Sequence, residues 1–330
     1  MSSCTLTVQQ KVDLASAPST APITLARLSS DDAADVRRAV AINKTTTVDT
    51  LKQLAVDESN IVRAGVTSNP NAPEQLLTQL AKDPDWLVRT SLARNLPRES
   101  DLQNVAASDQ THEVQMALAR NPNCRADILT AFARGNNLYV QRAASNNPSL
   151  PIKELQLMHA RCHDTIISLA LACHPACPKE LLVELSSHSE KSIRLAVAKH
   201  PQTPCYTLTV MAFSDDLSHI REEALWRISE FQSNDWISGV KDGLSLSMRF
   251  QSEDAHVVLG EALLANGLSN SYQLIQSAEL QLQIERAISQ PHTSKNLLNK
   301  LSASATENAS KSNRAPHAGT TSLNSNALRL

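Results

Sequence analysis

The residues with the most reactive potential in this chain are cysteines and histidines crowded into one stretch. Cys162-His163, Cys173-His174 and Cys177 could converge on a metal ion, because thiolate sulfur and imidazole nitrogen are the common ligands of zinc. Their spacings match no standard zinc or iron–sulfur pattern, and no metal site is expected. No Ser/His/Asp or Cys/His set for nucleophilic catalysis can be assembled from spacing. With 7 glycines in 330 residues, the chain also lacks a glycine-rich phosphate loop. The charged residues are more ordered than the nucleophiles. Asp31, Asp57, Asp83 and Asp215 each precede an arginine by six residues, at Arg37, Arg63, Arg89 and Arg221. A guanidinium is a planar fork that can hold a carboxylate through two hydrogen bonds or read a phosphate. The matching acid row would cancel the field a phosphate reader needs. The rows are therefore expected to form a structural ladder, each arginine bridging the acid of its own unit and of the next.

Those rows are set by a repeat. Val36-Arg37, Val62-Arg63, Val88-Arg89, Val114-Gln115, Val140-Gln141, Ile167-Ser168, Ile193-Arg194 and Ile220-Arg221 follow one another at steps of 26 or 27 residues. A period of this size indicates a solenoid, in which each unit buries its apolar face only against its neighbours. Good helix-capping residues stand three before the Val or Ile, at Ser59, Asp85, Thr111, Asn137 and Asp164. Seven residues after it comes Asn43, Asn69, Asn95, Asn121 or Asn147, or in later blocks His174 or His200, often followed by Pro. Asn tolerates the left-handed conformation that ends helices, and Pro then prevents continuation. A second segment carries apolar pairs three apart, such as Leu51 and Leu54 or Leu77 and Leu80, which is helical spacing. Each helix is too short to be stable alone, so stability must come from stacking. The ladder loses its arginine at Gln115, Gln141 and Ser168 and its acid at Gly135, Cys162 and His188, which predicts weaker stitching in the middle of the array.

The string running from Val62 to Asp83, with its second clear copy from Val114 to Ala133, resembles the leucine-rich repeat variant family. The resemblance covers roughly residues 15–228. It implies an all-helical, right-handed superhelix without strands, with one regular α-helix and one shorter, often 3₁₀, helix per repeat. The Asp/Arg spacing is also similar to the ladder of HEAT repeats. Family members with an iron–sulfur cluster carry a cysteine-rich stretch ahead of the repeats; only Cys4 stands there, so no cofactor is carried over. His112-Glu113 resembles the pairs by which some HEAT-repeat hydroxylases bind iron, but those need several pairs and this chain offers one. A helical-repeat DNA glycosylase would need a basic groove with aromatics, whereas aromatic residues make up 3% of this chain.

The expected fold is all-α: a right-handed α-α superhelix of about eight to ten 26-residue two-helix repeats, with no β-sheet, forming one elongated domain of order 90 Å. Residues 1–12 read as a flexible leader and 13–228 as the repeat array, opened by half a repeat at Pro18, Leu25 and Leu28. Residues 229–252 read as an irregular insertion, 253–301 as degenerate repeats restarting near Leu259 and Ile284, and 302–330 as a disordered tail rich in Ser, Ala, Asn and Thr. No signal peptide and no apolar run near 20 residues is present, so a cytoplasmic protein with reduced cysteines is expected. A net charge of −2 does not favour nucleic acid or anionic membrane. The functional expectation is a non-catalytic scaffold that binds another protein. The alternative is a metal-dependent or nucleic-acid-modifying enzyme on a HEAT-like scaffold. Aromatics crowd where the register fails, and Trp226, Phe231 and Trp236 are the candidate partner contacts, the last two in a polar, loop-like context.

Overall fold

The computed structural model describes residues 6–251 and 256–289. It falls into two compact units, Met1–Pro204 and Cys205–Leu330, where the repeat had implied a single domain. The first unit is a tandem of helix pairs: α1 (Val8–Ser16) and α2 (Pro22–Leu28), α3 (Ala34–Ile42) and α4 (Val48–Leu54), α5 (Asn60–Thr67) and α6 (Glu74–Leu80), α7 (Trp86–Asn95) and α8 (Leu102–Ala107). It continues with α9 (His112–Ala119) and α10 (Ala126–Arg134), α11 (Leu138–Ser145) and α12 (Ile152–Cys162), α13 (Thr165–Cys173) and α14 (Lys179–Leu185), and ends on α15 (Lys191–Lys199). The odd-numbered helices stack on one another from α1 to α15, and the even-numbered ones cover the opposite side. This is the expected α-solenoid.

Local chemistry accounts for the boundaries. Asp85, Asn137 and Asp164 accept hydrogen bonds from the first backbone N–H groups of their helices. Ser59 and Thr111 occupy the same position without capping through their side chains. The core is a narrow file of Val36, Val40, Leu51, Leu54, Val62, Val66, Leu80 and Val88, all buried, supplied by the Val register and the Leu pairs. Small residues set the spacing. A Cβ on Gly65 of α5 would come within 3.0 Å of the Ala41 Cβ on α3.

Four expectations change. Residues 8–12, read as leader, belong to α1, which is closed by a capping box between Thr7 and Gln10; the opening unit is thus a full helix pair. The shorter elements α4, α6 and α14 are α-helices of seven residues, not 3₁₀ turns. The Asn and His at the helix-stop register are not left-handed: Asn43, His174 and His200 are extended, and among the described residues the one non-glycine with positive φ is His163, which caps α12 at φ 45° outside that register. The extended geometry follows from a bridging role described below.

The fourth change lies in the second unit, comprising α16 (Cys205–Ser214), α17 (Ser218–Ser229), α18 (Ser233–Lys241), β1 (Arg249–Gln251), β2 (His256–Val258), α19 (Leu259–Ala265) and α20 (Ser269–Ser289). The stretch expected to be irregular contains α18, and the copy expected at Ile284 lies inside the 21-residue α20. A small antiparallel pair, Phe250 opposite Val257, departs from the strand-free expectation. Phe250 is buried against Phe213, their ring centroids 5.5 Å apart, and this apolar anchor with β-branched Val257 and Val258 favours extended chain. The tail from 302 lies outside the described residues.

Candidate functional site

Two rows of side chains bridge successive repeats in the first unit. In the first row, Arg37 Nε and Nη2 bind both carboxylate oxygens of Asp57 at 2.7 and 2.8 Å. Arg63 holds Asp83 at 2.7 and 3.0 Å, and Arg89 holds Asp109 at 2.7 and 3.3 Å. The acid of the arginine's own unit takes part differently from the expected ladder. It offers its backbone carbonyl, so Arg37 Nη1 donates to the Asp31 and Asp32 carbonyls, and Arg63 and Arg89 repeat this. Its carboxylate accepts the N–H two residues on and, at the same time, the arginine of the preceding repeat, as Asp57 does with Ser59 and Arg37. Burial pushes the Asp57 and Asp109 carboxyls up, but Arg37 and Arg89 and the local N–H donors outweigh it and hold both below the ordinary 3.8. In the second unit Arg221 donates to the Asp215 and Asp216 carbonyls in the same manner.

Where the ladder breaks, other pairs stand in. Gln115 and Gln141 keep only the bond to the loop carbonyl of their own repeat. Arg134 binds Glu154, and Arg142 binds Asp164 at 2.7 Å, so the middle is stitched by pairs outside the expected register. At Ser168 the bridging group is His159, buried on α12, with Nδ1 2.9 Å from the Ser168 hydroxyl and Nε2 3.5 Å from the Glu184 carboxylate without hydrogen-bond geometry. These are the residue types of a hydrolase triad. Ser168 is fully buried, so its hydroxyl has no approach for a substrate.

The second row was not legible from the sequence. Asn43, Asn69, Asn121 and Asn147 each donate through Nδ2 to two carbonyls of the preceding repeat, Asn69 to Ala41 and Asn43 at 2.7 and 2.9 Å. Each Oδ1 accepts the N–H two residues on, as Asn69 does from Asn71. His200 does both with a ring. Its Nδ1 accepts the Gln202 N–H and its Nε2 donates to the His174 carbonyl at 2.9 Å. The recurrence of Asn followed by His at one register was the available signal.

The cysteines do not assemble. Cys124 and Cys177 are buried, and burial pushes their thiols up to about 12 and about 11. Cys162 and Cys173 are exposed. Among the described residues no group of three or more His, Cys, Asp or Glu side chains is placed to hold a metal ion. His112 pairs with its own neighbour Glu113 and stacks on Tyr139. Of the aromatic candidates, Trp236 is 0% exposed and meets Phe231 edge to face, so it belongs to the core of the second unit and not to a contact surface. Its helix, α18, turns Trp236 and Gly239 inward together. Phe231 is half-buried, and Trp226 on α17 is 61% exposed.

The first unit leaves large apolar side chains open on both sides: the even-numbered helices expose Ile23, Val105, Leu157 and Val183, and the outer face of the odd-numbered helices carries the exposed aromatics. The core Val or Ile points inward, and the positions two and one before it, and two and six after it, point away, as the 3.6-residue period requires. Trp86, His112, Leu138 and Tyr139 are exposed there, with Trp86 49% and Tyr139 61% exposed. The face also carries Arg38, Arg94, Arg120, Lys191 and Lys199, and Arg142 already paired with Asp164, against Asp35 and Glu113. A chain of net charge −2 thus presents a net positive face.

No family model matches the chain, and no curated protein matches it. Among solved structures it is similar to one described as a leucine-rich repeat variant with a novel repetitive protein structural motif, at 22% identity and a TM-score of 0.47, covering 62% of this chain and 81% of that one. No helix among the described residues is long and apolar enough to cross a membrane.

Proposed function

We propose that the chain is a non-catalytic scaffold that binds another protein through the outer face of α3 to α15, with exposed Trp226 of α17 as a further contact. The observation that carries this reading is the row Trp86, His112, Leu138 and Tyr139, large side chains left in solvent by a fold whose other large apolar residues are mostly buried. Trp and Tyr bury much area at small entropic cost and dominate measured interface energies. Nucleophiles and ligands are arranged otherwise: the Ser168 hydroxyl and the Cys124 and Cys177 thiols serve buried structural positions. A cytoplasmic location fits the reduced cysteines.

The test compares capture from the native cell by wild type and by a Trp86→Ala/Tyr139→Ala variant. Both side chains are largely exposed, so the variant should melt with the wild type. Loss of a specific captured protein from this variant, with retention by Val56→Ala on another surface, supports the reading. Equal capture by all three proteins, or one equivalent of tightly held zinc or iron accompanied by activity, defeats it.

A further inference from the structure

The last helix of the second unit has two apolar sides, and the described residues cover one of them. α20 packs on α18 and α19, and Ser271, Ile275 and Ala278 are its buried residues. At about 100° per residue, Leu280, Ile284 and Ile288 lie on the opposite side, in one line at i, i+4 and i+8. They are 47%, 46% and 75% exposed. The same side is polar one and two turns earlier, at Ser277 and Gln273, so the apolar line belongs to the C-terminal half of the helix. Other exposed positions of that half, Gln281, Gln283, Glu285 and Arg286, are what an outer surface should carry. Ile284 stands where the core Val or Ile of a repeat was expected. At that register every copy from Val36 to Ile220 is at most 2% exposed.

The amino-acid sequence directly after α20 carries the matching part. Pro291 is followed at six, seven and ten residues by Leu297, Leu298 and Leu301. The same offsets run from Pro70 to Leu76, Leu77 and Leu80, from Pro122 to Ile128, Leu129 and Phe132, and from Pro175 to Leu181, Leu182 and Leu185. In those three repeats the segment is the second helix, α6, α10 or α14, and it packs back on the helix before it with Leu80, Phe132 or Leu185 buried. Ile284 and Ile288, four apart, correspond to Val62 and Val66 of α5, although the step to the proline is seven residues from Ile284 and eight from Val62. We propose that residues 291–301 dock through Leu297, Leu298 and Leu301 on the Leu280, Ile284 and Ile288 stripe of α20 and close the last repeat of the chain. Ser289 and Gln290 alone separate Ile288 from Pro291, so this segment meets the stripe at a far higher effective concentration than a separate molecule does. A repeat series stays soluble where its last apolar face is capped, and an open aliphatic stripe is an association surface. The closure is independent of what the first unit binds.

The test is hydrogen exchange on the full chain, read by mass spectrometry. Amides of residues 296–301 should exchange at least about tenfold slower than the rate of an unstructured chain. Ile284→Gln/Ile288→Gln should return them to that rate. Glutamine is as good a helix former as isoleucine and both positions are exposed, so α20 itself should persist in this variant. Leu264→Gln, at an equally exposed aliphatic position on α19, should leave the protection intact. Leu298→Gln/Leu301→Gln should in turn speed exchange at the end of α20, over residues 284–288. Unprotected amides across 296–301 in the wild type overturn the inference. Protection that survives Ile284→Gln/Ile288→Gln overturns it too, because the segment then rests on something else. Sedimentation reads the other occupant. If the protection fades on dilution together with a dimer, and Ile284→Gln/Ile288→Gln abolishes that dimer, the stripe belongs to a second copy of the chain and the inference falls.

Discussion

At the scale of the residue, two polar rows do what the small apolar stripe cannot do alone. Each arginine of the ladder closes the loop before its own helix through carbonyls and reaches one repeat ahead through a bidentate pair. Removing it leaves an aspartate with little solvent. For Arg89→Ala the expected loss is about 1–2 kcal/mol, measured by urea denaturation. The pH dependence follows from Asp109, whose folded pKa is depressed below 3.8. A depressed folded value means the stabilisation is complete above the unfolded value and is lost as pH falls through the folded one. The wild-type midpoint should therefore stay level down to about pH 5 and drop below about pH 4, and Arg89→Ala should show a shallower acid limb. Parallel limbs would show that the pair does not link folding to protonation. The asparagine row makes its own prediction at His200. Asn supplies an acceptor and a donor at nearly the positions of Nδ1 and Nε2, so His200→Asn should melt close to wild type. His200→Ala should lose about 1–2 kcal/mol. Equal losses would remove the bridging role.

At the scale of the element, packing in the second unit replaces repeat grammar with individual fits. A Cβ on Gly239 of α18 would lie 2.7 Å from the Cys205 sulfur on α16, closer than contact allows. Gly239→Ala gains about 1 kcal/mol of helix propensity, yet the overlap should win, for a net loss of about 1–2 kcal/mol. Adding Cys205→Ala should recover most of it, and a thermal double-mutant cycle measures the coupling. Additive losses would mean the two helices yield. Trp236→Ala should cost about 3–5 kcal/mol as a fully buried large residue, without a change in partner capture at low temperature. Much of the fold was legible because a helix period and a repeat period reinforce one another: Val88, the Leu pairs and the Asp caps each recur in fixed register. Trp236 was not legible because its polar neighbours resemble a loop, and only the turn of α18 shows that Trp236 and Gly239 face inward together. The asparagine bridges were hidden because their partners are backbone carbonyls, which leave no trace in sequence, and Asn at a helix end has two uses.

At the scale of the molecule, the first unit is quasi-one-dimensional, so its weakest junction limits how far opening spreads. The ionic row is interrupted between the repeats of α9 and α11. Gln115 has replaced the arginine there and Gly135 the acid. The interruption is also a physical gap: an open pocket of about 500 Å³ is lined by Gln115, Phe132, Gly135 and Asn136, among others. Gly135 is extended at φ −65° and ψ 178°, a conformation open to aspartate, although its Cβ would stand 3.3 Å from the Phe132 carbonyl. The register of Arg89 and Asp109 therefore prescribes a repair. Gln115→Arg alone adds a cation without a carboxylate, and Gly135→Asp alone adds an acid at a slightly crowded site; neither should stabilise. Together they should recreate the bidentate pair and contribute about 1 kcal/mol beyond the sum of the singles. Native-state hydrogen exchange reads the consequence where it belongs. Amides of α9 and α11 should slow in the double variant, while those of α3 and α5, whose ladder is already complete, should not change. Uniform slowing along the whole unit would show that the array opens as a single body and that the break at Gln115 does not set its weakest point.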